Sequence, residues 1–148
     1  MDYEIQEVPE ATYAVIKRTV AFSDVPNVMP ELIGKVLSWA DTVPHGVRMC
    51  ISSMTSDGQL SIAPGVEVEP GSVEPPEGFD VVTRPAQRSA VHLYVGPYEG
   101  LPGIYQELYD QLQRDGYTEN GEPIEIYEKH DPVPETRIVW PITSQSSA

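Results

Sequence analysis

Two stretches of the chain, residues 3–42 and 79–118, match each other at a constant spacing of 76 positions without a gap. The matching pairs include Tyr3 with Phe79, Pro9 with Pro85, Ala14 with Ala90, and Phe22 with Tyr98. Because repetition at a fixed period is typical of one structural unit used twice, we expect a tandem, pseudo-twofold duplication. The interface between two such units is a common place for a small-molecule site, so a central cleft is expected.

Each repeat has the predicted order strand, helix, strand, strand. Extended segments broken by a proline open both repeats, at residues 3–22 and 79–95. A helix follows in each, from about Pro26 to Ala40 and from about Pro102 to Asp115, because apolar residues recur there at helical spacing. Two more strands complete each repeat, at 46–54 and 59–68 and at 123–129 and 137–142. The chain therefore predicts an α+β fold in which an antiparallel sheet carries two helices.

The length of 148 residues allows one compact domain, which we predict over residues 1–143. The first repeat spans residues 1–69 and the second spans 79–143. Residues 70–78 connect them and are rich in proline and glycine. Residues 144–148 are small and polar, so we expect a disordered tail.

The composition argues against several classes of protein. Nine Lys and Arg against 23 Asp and Glu give a formal net charge of −14, which repels nucleic acid and anionic lipid. Cys50 is the only cysteine and lies in an apolar run, so a reduced core residue is expected. The start of the chain lacks a basic signal region, and no apolar run is long enough to span a membrane. We expect a cytoplasmic protein that binds neither nucleic acid nor membrane.

Common catalytic and metal-binding signatures are absent from the sequence. It contains no phosphate-binding glycine loop, paired-histidine helix, nucleophile elbow or Cys-x-x-Cys motif. His45, His92 and His130 are scattered without ligand spacing. We expect no metal and no cofactor.

Aromatic residues are concentrated in the second repeat and suggest a ligand site. Tyr105 and Tyr109 lie on the apolar stripe of the second helix, so their rings are expected to face inward. The alternation in Pro123-Ile124-Glu125-Ile126-Tyr127 puts Glu125 and Tyr127 on one strand face. The alternatives are ordinary core packing for the tyrosines and a solvated face for Glu125.

The repeat favours a partly buried Glu125. Its counterpart 76 positions earlier is Met49, and the counterpart of Tyr127 is Ile51, so the equivalent face of the first repeat is apolar. An unpaired charge on such a face costs several kcal/mol, so the carboxyl should be protonated, bonded to a tyrosine, or available for a cation. We predict Glu125, Tyr127, Tyr105, Tyr109, Trp39 and Met49 as ligand-binding residues.

Four segments of the second repeat resemble one known family. The first runs from Ala90 to Leu101 (AVHLYVGPYEGL), and the second is Tyr105 to Leu108 with Gly116 and Tyr117. The third is Pro123 to Tyr127, and the fourth is Thr136 to Ile142 (TRIVWPI). Together they resemble the gyrase-inhibitor-like (GyrI-like) effector-binding domains, which occur in bacterial multidrug-responsive activators and as free-standing proteins. Where the family often has Pro-x-Gly, this chain has Pro85-Ala86-Gln87, so the rim of the site is expected to differ.

The resemblance implies a tandem pair of strand-helix-strand-strand units and a role for Glu125. In drug-sensing members, the glutamate at this position pairs with lipophilic cations at the base of an aromatic pocket. The first reading is therefore a stand-alone binder of lipophilic or cationic aromatic ligands. Two alternatives stay open: a hydrolase of strained electrophiles that uses Glu125 catalytically, and an acidic protein-interaction module of gyrase-inhibitor type. A homodimer or another protein partner is equally compatible with the sequence.

Overall fold

The computed structural model describes residues 2–130 and 132–144, and the chain divides into two compact units. We call Glu10–Pro85 the central unit, and Met1–Pro9 with Ala86–Ala148 the terminal unit. In chain order the elements are β1 (Glu4–Val8), β2 (Ala11–Val15), β3 (Arg18–Val20), α1 (Val25–Ala40), β4 (Arg48–Met54), β5 (Leu60–Val68), β6 (Asp80–Arg84), β7 (Gln87–Val95), α2 (Leu101–Arg114), β8 (Tyr117–Glu119), β9 (Ile124–Lys129) and β10 (Glu135–Ser144). A short 3-10 helix precedes each α-helix, at Phe22–Asp24 and Tyr98–Gly100. The predicted α+β class is confirmed.

The sheet of the central unit is antiparallel, with strand order β4-β5-β2-β6 and with β3 paired to β5. Helix α1 packs on β5 and buries Leu32, Val36 and Ala40, which recur at the spacing of one helix face. The connection predicted at 70–78 lies inside this unit, between β5 and β6.

The terminal unit has strand order β1-β7-β10-β9, again antiparallel, and β8 pairs with the last residues of β10. Its core joins the buried face of α2 to alternate residues of the sheet: Ala90, Leu101, Leu108, Leu112, Ile138 and Ile142. Gly116 follows the helix with φ of +88°, a conformation that glycine adopts without strain and that ends the helix close to the predicted Asp115. Ser144, predicted to begin the tail, is the last residue of β10, while 145–148 lie outside the described residues.

The elements repeat at the spacing found in the sequence. Helix α1 begins at Val25 and α2 begins at Leu101, 76 residues later, and β1 and β6 begin at Glu4 and Asp80 with the same offset. However, the first strand of each repeat is exchanged between the two units. Strand β1 of the first repeat pairs with β7 in the terminal unit, and β6 of the second repeat pairs with β2 in the central unit. The offset is expected of a duplicated chain, and the duplication itself stays a prediction. Neither helix in residues 2–130 and 132–144 is long and apolar enough to cross a membrane.

Candidate functional site

A glutamate held by two tyrosines lies in the terminal unit. Tyr105, on α2, donates a hydrogen bond from its hydroxyl to Oε2 of Glu125 at 2.9 Å. Tyr127, two residues along β9 from Glu125, donates to Oε1, also at 2.9 Å. Each carboxylate oxygen therefore has a phenolic donor. We call these three residues the tyrosine–glutamate cluster.

Strand pairing explains why the cluster forms on the helix side of the sheet. Glu125 lies opposite Ile138 of β10, and Tyr127 lies opposite Thr136. Directly opposed residues project to the same face, and Ile138 belongs to the core under α2. Glu125 and Tyr127 therefore project toward the face that α2 covers, where Tyr105 reaches them from the helix.

Burial dominates the electrostatics of Glu125. Desolvation by the surrounding protein raises the pKa of the carboxyl above its ordinary 4.5, while the hydrogen bonds from Tyr127 and Tyr105 act in the opposite direction and only partly offset it. The residue as a whole keeps some accessible surface. The ion pairs in the described part of the chain involve other carboxylates, so no Lys, Arg or His there neutralises Glu125. The carboxylate has donors but no countercharge.

Further aromatic rings extend the cluster in two directions. The indole of Trp140, on β10, meets the Tyr105 ring edge-on at a centroid distance of 5.7 Å and the Tyr109 ring at 6.2 Å. On the other side, the Tyr98 ring meets Tyr127 edge-on at 6.0 Å. These geometries are favourable for aromatic pairs, so the rings support one another's positions.

The turn that carries Tyr98 is held by Tyr94 of β7. The Tyr94 hydroxyl donates to the carbonyl oxygen of Pro97 at 2.7 Å. A Cβ added at Gly100 would lie 2.2 Å from that hydroxyl oxygen, so this position has no room for a side chain. The Tyr98 hydroxyl lies 3.0 Å from Nδ1 of His130, with the two rings stacked. Tyr98 is thus fixed at both its backbone and its ring.

The structure brings together three of the predicted site residues, Glu125, Tyr105 and Tyr127. Tyr109 was expected to face inward, but its side chain is 36% exposed and packs on Trp140 instead. It lies one helical turn beyond Tyr105, at the exposed edge of the stripe. Tyr109 therefore faces inward only in part, and its role in ligand binding stays a prediction.

The other two predicted residues, Trp39 and Met49, belong to the central unit. The Trp39 ring packs on Phe79 at a centroid distance of 5.1 Å, and Met49 is 1% exposed. Their role in ligand binding stays a prediction.

The six residues predicted for the site do not include Thr136, Trp140 or Tyr98, although Tyr98 is one of the aromatic residues concentrated in the second repeat. The alternation Thr136, Ile138, Trp140, Ile142 places all four on one face of β10, which was a usable signal. The alternation could not show that these residues lie beside Glu125, because it does not say which strands are neighbours or in which register they pair. Within residues 2–130 and 132–144, no group of three or more His, Cys, Asp or Glu side chains could hold a metal ion.

Comparison with protein families gives one match that covers almost the whole chain. Residues 1–143 match the model of the GyrI-like small molecule binding domain. No curated protein matches the chain.

Solved structures with similar folds include a ligand complex, an isolated domain and a protein described as a hydrolase. SAV2435 bound to tetraphenylphosphonium is 15% identical with a TM-score of 0.74, covering 97% of this chain and 94% of that one. The EcmrR C-terminal domain is 20% identical with a TM-score of 0.69, covering 97% and 99%. A hydrolase from Listeria innocua is 10% identical with a TM-score of 0.65, covering 96% and 92%. At these identities the similarity shows a shared fold.

Proposed function

Because the chain belongs to the GyrI-like small-molecule-binding domain family, we propose that it binds lipophilic aromatic cations at the tyrosine–glutamate cluster. The observation that carries the proposal is the state of Glu125. Its carboxylate is desolvated, is held by two neutral donors, and has no cationic partner in the described part of the chain. A positively charged ligand would supply the missing countercharge.

The surrounding rings favour an aromatic ligand. Tyr105 and Tyr127 contact the carboxylate, and the rings of Trp140 and Tyr98 pack against these two tyrosines. Ring faces attract cations by about 0.5–2 kcal/mol each, and the gain grows when the site is desolvated. The complex of SAV2435 with tetraphenylphosphonium supports this proposal, because that ligand is both aromatic and cationic.

The test compares charge at constant shape. N-methylquinolinium and 1-methylnaphthalene are isoelectronic, and only the first is charged. Calorimetric titration of both, with tetraphenylphosphonium as a larger cation, would be made on the wild type and on Glu125→Gln. This substitution keeps the size of the side chain and one acceptor oxygen, and it replaces the other oxygen by an NH2 donor while removing the charge.

We expect Glu125→Gln to weaken both cations by about 30- to 150-fold, which corresponds to about 2–3 kcal/mol for a desolvated charge pair. The neutral compound should change by less than about threefold. Glu119→Gln is the matched control, because Glu119 is an exposed residue of β8 with no ion pair in the described part of the chain and the substitution changes the net charge equally. Equal weakening of the charged and neutral compounds would refute charge selection by Glu125.

A second candidate function is hydrolysis of strained electrophiles. The raised pKa of Glu125 favours it, since a general base or acid works best when its pKa lies nearer the working pH. The structural neighbour described as a hydrolase shares the fold. Incubation with a reactive epoxide should then yield the diol in the wild type and none in Glu125→Gln, with product followed by mass spectrometry. Identical, uncatalysed rates for both proteins would remove this candidate.

A further inference from the structure

Two buried polar atoms near Glu125 have no hydrogen-bond partner among the described residues. They are Oγ1 of Thr136, a residue that is 0% exposed, and Nε1 of Trp140. Thr136 and Trp140 lie two residues before and after Ile138, the residue opposite Glu125. Because alternate residues of a strand share a face, both side chains project to the face that carries the tyrosine–glutamate cluster.

The chemistry of the two groups differs. A threonine hydroxyl both donates and accepts, whereas an indole N–H can only donate. A buried donor without an acceptor is unfavourable, and native proteins rarely keep one without a reason. Trp140 is therefore the more specific signal, since only an acceptor atom can satisfy it.

Trp140 is also directly connected to the proposed cation site. Its ring packs edge-on against Tyr105, and the Tyr105 hydroxyl bonds Glu125. We propose that Trp140 determines specificity: its indole N–H donates a hydrogen bond to a neutral acceptor oxygen on the same ligand whose positive charge pairs with Glu125. The ligand class is thus an aromatic cation that carries a carbonyl or ether oxygen. This inference rests on the proposed function.

Access to the indole nitrogen involves Tyr109. Nε1 of Trp140 is covered in the unliganded protein, so a ligand reaches it only when a neighbouring side chain moves. Tyr105 is tethered to Glu125, whereas Tyr109 is the more exposed of the two tyrosines and its hydroxyl forms no hydrogen bond within the described residues. Rotation of Tyr109 into solvent therefore breaks fewer interactions than rotation of Tyr105, and its movement would uncover the Trp140 ring.

The test uses two phosphonium ions that differ only in the acceptor. In 4-acetylphenyl(triphenyl)phosphonium a ketone oxygen stands where 4-isopropenylphenyl(triphenyl)phosphonium has a methylene group. We expect the wild type to prefer the acetyl compound by about three- to tenfold, the gain of one net hydrogen bond. Trp140→Phe should abolish this preference, because phenylalanine has no N–H to donate. Calorimetry gives both affinities for each protein.

A measurement on the wild type avoids any effect of the substitution on folding. With ¹⁵N-labelled tryptophan the chain gives two indole signals, from Trp39 and Trp140, and the signal that Trp140→Phe removes belongs to Trp140. The acetyl compound should shift the Trp140 indole proton downfield, and the isopropenyl compound should not.

Each outcome separates the two proposals. If both phosphonium ions bind equally and the indole shift is absent, the role of Trp140 is refuted while cation binding stands. If Trp140→Phe still prefers the acetyl compound, another donor forms the hydrogen bond to the ketone oxygen and the inference is wrong. If neither ion binds the wild type, the proposed cation site is refuted, and the role of Trp140 with it.

Discussion

Ionisation of Glu125 should make the unliganded protein less stable and cation binding stronger, over the same pH interval. Burial raises the pKa of this carboxyl in the folded protein above 4.5, its ordinary value, which also applies to the unfolded chain. Between these two pKa values the folded state binds more protons than the unfolded state. The stability that the protonated carboxyl contributes is therefore complete below pH 4.5 and is lost as the pH rises through the folded pKa.

The size of the effect follows from the separation of the two pKa values. Each unit of separation corresponds to about 1.4 kcal/mol of unfolding free energy. Glu125→Gln cannot titrate at this position and keeps one acceptor oxygen for a tyrosine hydroxyl, with an NH2 donor in place of the other oxygen. As the pH rises, the unfolding free energy of the Gln variant should therefore increase relative to that of the wild type. The total increase should be about 1.4 kcal/mol for each unit that separates the folded and unfolded pKa values, and it should level off above the folded pKa.

The assay is urea unfolding of both proteins from pH 4.5 to pH 8, in steps of half a unit. The difference between them cancels titrations that they share. Glu119→Gln, which removes an exposed carboxylate of β8 that forms no ion pair in the described part of the chain, is the control for the loss of one negative charge. Over the same range the affinity of the wild type for tetraphenylphosphonium should rise about tenfold per pH unit below the folded pKa and then level off, because only the ionised carboxylate attracts the cation.

Two results would refute this reasoning. If the difference in unfolding free energy between Glu125→Gln and the wild type does not change with pH, the carboxyl is not desolvated in the folded state. If the difference changes in the opposite direction, the hydrogen bonds from Tyr105 and Tyr127 outweigh burial. Agreement also requires that stability and affinity level off at the same pH, since both report the pKa of the free protein.

Two further predictions concern stability alone. Gly100→Ala should lower the unfolding free energy by about 1–2 kcal/mol, because the new Cβ displaces the Tyr94 hydroxyl from Pro97. Gly103→Ala should raise it by about 0.5–1 kcal/mol, because a Cβ at this position of α2 meets no atom within 4 Å. Urea unfolding of the two variants checks both signs, and equal effects would show that Tyr94 does not constrain the turn. Thr136→Val should raise the unfolding free energy by about 1 kcal/mol, because it removes a buried hydroxyl that has no partner among the described residues; a loss of stability would instead show that the hydroxyl has a polar partner.

The parts of the cluster that depend on local periodicity were predictable from the sequence. Alternation paired Glu125 with Tyr127, and the helical stripe brought Tyr105 to the inner face of α2. Tyr109 satisfied the same stripe but lies at its edge, where periodicity does not distinguish a covered ring from a half-exposed one. Trp140 required the pairing of β10 with its neighbours, and strand register depends on contacts distant in sequence.

The choice of tyrosine as the partner of Glu125 has a physical consequence. Lysine or arginine at either position would stabilise the carboxylate more strongly, but it would also neutralise the charge and fill the site. A phenol donates a hydrogen bond without adding charge, so Tyr105 and Tyr127 hold the carboxylate in one orientation and leave its negative charge uncompensated. Burial then makes that charge costly in the absence of a ligand, as the raised pKa shows. A cation that reaches Glu125 would recover this cost, so the proposed affinity for cations and the expected instability of the unliganded site above the pKa of Glu125 have the same origin.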